Sequence, residues 1–111
     1  MNQQVFLNMN IDKLNNVIAT RKLGTKTGEE IRVSIGQPEA FDDGDYYCPY
    51  SIDCIGAKVE YSYSCGVDAI QALQLCMKKI GTDLQFNIGK GREIFWLDYK
   101  SGDLGFPECY K

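Results

Sequence analysis

Residues Gly66 to Gly81, "GVDAIQALQLCMKKIG", carry the one sustained helical period in a chain otherwise patterned in twos. Ile70, Leu73, Met77 and Ile80 recur at i, i+3, i+7 and i+10, a single stripe on a helix. Asp68 and Gln71 have the spacing of an N-cap and its N3 partner, which satisfy each other's backbone donors. Lys78 and Lys79 fall in the last turn, where positive charge complements the helix dipole, and Gly81 stands where a C′ glycine ends a helix. One amphipathic helix cannot hide its own stripe. The remaining segments have to supply a surface with one apolar face.

They do so by alternation. "NVIATRKL" is an extended run that enters the turn "GTKTGE", and "EIRVSIG" follows with Ile31, Val33 and Ile35 on one face and Glu30, Arg32 and Ser34 on the other. After the breakers of "QPEAFDDGD", "YYCPYSIDC" places Cys48, Tyr50, Ile52 and Cys54 on one face. Pro49 donates no ladder bond, so this strand is expected at an edge or with a bulge. "VEYSYSC" sets Val59, Tyr61, Tyr63 and Cys65 against Glu60, Ser62 and Ser64, and the apolar set is taken as core-facing. After the helix, "LQFNI" and "EIFWLDYK" read as two short strands around "GKG", with Trp96 in the core or at its rim. The expected fold is α+β: an antiparallel four- to six-stranded sheet of two hairpins, one main helix on one face, then a short C-terminal hairpin. Residues 1–14, with Leu7, Ile11 and Leu14 at helical spacing, form a short helix or an N-terminal extension.

The 111 residues suffice for one domain, 1–111, with a core that needs neither metal nor disulfide. No apolar run approaches the roughly 20 residues of a membrane span. The first residues lack the pattern of a secretory signal, so the expected compartment is the cytoplasm, where the five cysteines read as thiols. Charge is distributed unevenly. Residues 33–57 contain no Lys or Arg but hold Glu39, Asp42, Asp43, Asp45 and Asp53; with +2 before and zero after, this −5 yields the net −3. Such a surface disfavours nucleic acid, which requires clustered basic residues, and favours a basic protein.

Residues that carry catalysis are sparse. Without a histidine there is no Ser-His-Asp triad, Cys-His pair or HExxH site. No cysteines form CxxC, which argues against zinc. Cys65, just before the helix, is the best placed thiol for a nucleophile, but Asp68 opposes thiolate formation there. Asp42, Asp43 and Asp45 crowd one loop, without the alternating ligands of a calcium-binding loop. "GTKTG" and "GKGREI" lack the spacing of phosphate-binding loops. The expectation is therefore no catalytic residues, no cofactor and no metal.

The segments "ATRKL", "IRVSIGQPE", "YYCPYSI", "GVDAIQALQLCMKKIG" and "LGFP" together resemble a family of small bacterial proteins known as a domain of unknown function, over about residues 17–107. The resemblance implies no activity and no site residues. In overall character the chain is similar to toxin-immunity proteins, including those of contact-dependent growth inhibition, which cover the active site of a basic nuclease. On that likeness the chain is expected to be no enzyme but a protein-binding module, docking a cognate toxin through Glu39, Asp42, Asp43, Asp45, Tyr46 and Tyr47, with charge for steering and aromatics as anchors. The alternative is an accessory domain holding a small molecule between helix and sheet.

Overall fold

Alternation becomes strand. The computed structural model describes residues 11–54, 57–88, 93–97 and 103–107. Within them run β1 (Val17–Thr25), β2 (Glu30–Gly36), β3 (Glu39–Ala40), β4 (Tyr46–Cys54), β5 (Glu60–Gly66), the helix α1 (Ala69–Thr82) and β6 (Ile94–Phe95). The strands form one antiparallel sheet, and α1 packs against one face of it: an α+β fold. Of the expected N-terminal helix, residues 1–10 lie outside the described residues, and 11–14 have no regular structure.

β4 is the central strand. β5 pairs along one side of it from Tyr46 to Ile52; β2 (at Tyr50 to Cys54) and then β3 (at Tyr46 and Tyr47) share the other side. The expected edge position for Pro49 is therefore wrong. Pro49 falls in the gap between the β2 and β3 ladders, between the Ile35–Tyr50 and Glu39–Tyr47 pairs. A residue without an N–H forfeits no bond there on that side.

The core assembles from the faces that alternation indicates on β2 and β4. Ile31, Val33, Ile35, Cys48, Tyr50, Ile52 and Cys54 are all buried, together with Leu23 of β1. Each large apolar side chain so buried contributes about 1.5–3 kcal/mol. From the helix, however, the buried row is Ala72, Cys76 and Ile80, continued by Leu84, with Leu73 and Met77 flanking it. Ile70 does not join the stripe. It is two residues from Ala72, about 200° around the helix, and is 68% exposed.

β5 shows a related reversal. Its register sets Ser62 opposite Tyr50, Ser64 opposite Cys48 and Gly66 opposite Tyr46, so these small residues lie on the face toward α1. Tyr61, Tyr63 and Cys65 lie on the outer face beside Ser51, Pro49 and Tyr47. The expected core face of this strand is thus its outer one, and size explains it. The start of α1 approaches so closely that a Cβ on Gly66 would stand 2.5 Å from the Ala72 nitrogen. Only small side chains fit beneath it.

The helix starts as its caps require. Asp68 accepts from the Gln71 N–H at 2.8 Å; Gln71 Oε1 accepts from the Val67 N–H, one residue earlier than the reciprocal bond expected. The end differs. Gly81 is not a C′ residue: α1 runs to Thr82 and passes into a π-helical turn, Asp83–Ile88, in place of the expected "LQFNI" strand. Burial of Leu84, one further step of four along the inner row, keeps this segment wound, and the Tyr50 hydroxyl donates to Asp83 Oδ2 at 2.5 Å. Gly81 instead leaves room for the C-terminal segment, since a Cβ there would meet Phe106 Cβ at 3.1 Å.

That segment is held from the far end of the sequence. Arg21, opposite Val33 on the face that carries the core, donates from Nη1 to the carbonyls of Leu104 (3.1 Å) and Gly105 (2.9 Å). Its guanidinium carbon lies 4.0 Å from the Trp96 ring centre and 4.8 Å from that of Phe106. Trp96 is half-buried at the rim of the core, against this cation. Gly105 has φ +79°, and a Cβ on it would stand 2.5 Å from both Arg21 Nη1 and the indole. The "ATRKL" and "LGFP" segments are two halves of one clamp.

Candidate protein-binding surface

The acidic segment folds into a tight hairpin. The Phe41 N–H donates to the Asp45 carbonyl at 2.7 Å, Gly44 N–H to the Phe41 carbonyl at 3.1 Å, and Asp45 N–H to Asp43 Oδ1 at 3.0 Å. Asp42 and Asp43 are exposed at its tip, Asp45 is half-exposed on its return, and Glu39 sits on β3 opposite Tyr47. The four carboxylates of the expected docking set, out of five in the acidic stretch, therefore gather at one end of β4. Asp53 stands at the other end, opposite Arg32.

Of the two anchor tyrosines, the structure keeps one with the acids. Tyr47 lies on the outer face, while Tyr46 turns to the inner face and packs on the core. Neighbouring residues on a strand point to opposite sides, so the two tyrosines lie on opposite faces of the sheet. Three aromatics absent from the expected set join Tyr47 instead. Phe41 packs on it with centroids 4.8 Å apart, Tyr63 meets it edge-on at 6.3 Å, and Tyr61 follows Tyr63 on the same face of β5. Burial, then the charge of Glu39 and a hydrogen bond to its carboxylate, raise the pKa of the Tyr47 hydroxyl above its ordinary value. Tyr61 and Tyr63 are visible in the sequence as the alternation of β5, whose expected core face is the outer one; Phe41 carries no such periodic signal.

A cleft of about 210 Å³ opens on this outer face, lined by Tyr47, Pro49, Glu39 and the 11–15 segment, including Asp12 and Lys13. It lies across the sheet from α1, not between helix and sheet. Next to the hairpin, Val67 is 71% exposed beside the equally uncovered Ile70. Lys79 reaches from α1 to β5: its Nζ donates to Ser62 Oγ (2.9 Å) and to the Tyr63 carbonyl (3.0 Å), 5.9 Å from the Tyr63 ring.

Most of the described thiols are enclosed by the fold. Cys48, Cys54 and Cys76 are buried, and Cys65 is half-buried on the outer face; Cys109 lies outside the described residues. Burial raises the Cys65 thiol, Lys79 opposes this in part, and Asp45 adds to it, the opposite of what a thiolate nucleophile needs. A hydrogen bond with Cys48 and burial push Cys76 up as well. Among the described residues no group of three or more Cys, Asp or Glu is placed to hold a metal ion, and no helix is long and apolar enough to cross a membrane.

No curated protein and no solved structure matches the chain. A family described as a domain of unknown function, DUF6968, matches residues 19–108, close to the span of the sequence resemblance. The match runs from inside β1 past the Leu104–Pro107 half of the clamp and so takes in sheet, helix and hairpin. The chain belongs to this family of unknown function, DUF6968.

Proposed function

We propose that this chain is a non-catalytic protein-binding module: a bacterial, cytoplasmic immunity protein that neutralises a basic, nuclease-like toxin. The observation that carries the reading is the β3–β4 hairpin. It presents Glu39, Asp42, Asp43 and Asp45 at one end of the sheet, next to the Tyr47 aromatic row, in a stretch without a single Lys or Arg. Concentrated negative charge accelerates the encounter with a basic partner, and rigid aromatics contribute contact area at low entropic cost. Val67 and Ile70, exposed at the adjoining helix start, extend the same end with apolar surface.

The test is co-purification with the product of a neighbouring toxin gene, using the parent and the Asp42→Asn/Asp43→Asn/Asp45→Asn variant. The parent should protect cells from that toxin and bind it with a strong dependence on salt. The variant should associate about tenfold more slowly at low salt and lose most of that dependence. Equal binding and equal salt dependence in both proteins would remove the hairpin from the interface.

A further inference from the structure

We infer that the outer-face cleft is a seat for one arginine side chain of a protein partner. The inference rests on the docking reading above and adds the chemistry of one contact within it. At about 210 Å³ the cleft is below the roughly 300–1,000 Å³ of sites for drug-sized molecules, but large enough for the end of a side chain. Its apolar lining is Tyr47, the buried Pro49 and Ile11, and its two carboxylates come from separate segments: Glu39 on β3 and Asp12 on the chain leading into β1. Lys13 also lines it, leaving a local balance of one negative charge.

The arrangement is pre-set. Phe41 and Tyr63 hold the Tyr47 ring on two sides, and Glu39 stands opposite Tyr47 in the β3–β4 ladder, which sets one acceptor at the cleft wall. A planar guanidinium can lie against an aromatic ring while its edges donate to carboxylates on either side. An ammonium is a compact point charge, more strongly hydrated, and gains less from such a slot. The chain itself shows the same pairing in the clamp, where Arg21 lies over Trp96 and donates to two oxygens.

The experiment is a titration of the full-length protein, followed by backbone amide NMR shifts, with N-acetyl-arginine amide. N-acetyl-lysine amide and the uncharged N-acetyl-citrulline amide serve as the comparison probes. Arginine amide should shift residues around Asp12, Glu39 and Tyr47, lysine amide should do so more weakly, and citrulline amide should leave them unmoved. Glu39→Gln, checked by an otherwise preserved spectrum, should weaken the arginine response by about threefold or more. No localised response, a response spread equally over Asp53 and Glu60, or equal responses to arginine and citrulline would overturn the seat. Equal responses to arginine and lysine would overturn its assignment to arginine. The hairpin triple variant tests the docking reading separately, because Asp42, Asp43 and Asp45 do not line the cleft.

Discussion

Replacing Arg21 should loosen the C-terminal segment and destabilise the fold by an amount that the clamp geometry sets. One guanidinium nitrogen shared by two carbonyls counts as about one charge-assisted hydrogen bond, about 1.5–3 kcal/mol. Two ring contacts on a half-exposed cation add about 0.5–1 kcal/mol each. Against this, Arg21→Ala no longer has to order a long side chain, which returns about 1–2 kcal/mol. The net expectation is a loss of about 2 kcal/mol, or roughly 8 °C in midpoint for a chain of this size. Arg21→Lys keeps the charge but not the planar fork, and should lose about half as much. The assay is urea unfolding read by tryptophan fluorescence, since Trp96, the only tryptophan, stands directly against the guanidinium. Arg21→Ala should also shift the native emission to the red as the indole gains water. A variant within about 0.5 kcal/mol of the parent, with unshifted emission, would falsify the clamp.

Three further outcomes follow from the same contacts. Gly66→Ala should cost about 2 kcal/mol or more in urea unfolding, because its Cβ would meet the Ala72 nitrogen at 2.5 Å and neither backbone can yield cheaply; a neutral result would mean that α1 does not approach β5 so closely. Asp68→Ala should remove about 1 kcal/mol by leaving the Gln71 N–H without its cap, and Asp68→Asn should restore most of it in the same assay. Tyr50→Phe should change the alkaline limb of stability. Burial and then the hydrogen bond to Asp83 raise the phenol in the folded state, so the folded chain holds this proton more tightly than the unfolded chain does. Its contribution is therefore fully present below pH 10 and declines above it, by about 1.4 kcal/mol per pH unit. Urea midpoints at rising pH should fall less steeply in the Phe variant, though not become flat, since Tyr47 and Tyr63 are shifted the same way. Parallel slopes would place the Tyr50 proton elsewhere.

Local chemistry specified what needs only local partners. Period two on β2 and β4 marked faces that are indeed buried, because every residue of those inner sets is apolar and the alternatives include Arg32, Ser34 and Asp53. Asp68 and Gln71 marked the helix start because a cap is satisfied within three or four residues. The hairpin's charge was likewise plain from Glu39, Asp42, Asp43 and Asp45. Alternation groups residues by face but does not say which face turns inward. On β5 the choice lay between tyrosines and small polar residues, and the proximity of α1 decided it by volume: Ser62, Ser64 and Gly66 fit where Tyr61 and Tyr63 do not. The same decision moved the aromatic row to the outer face beside Tyr47, separated Tyr46 from it, and left Ile70 in water. The separation of 83 positions from Arg21 to Leu104 hides the clamp from any local pattern, as the 33 from Tyr50 to Asp83 hide the anchor of the π-helical turn. Composition and period determined the elements and their charges; close packing between elements distant in sequence decided which side chains meet, and hence which of them lie on the outer face.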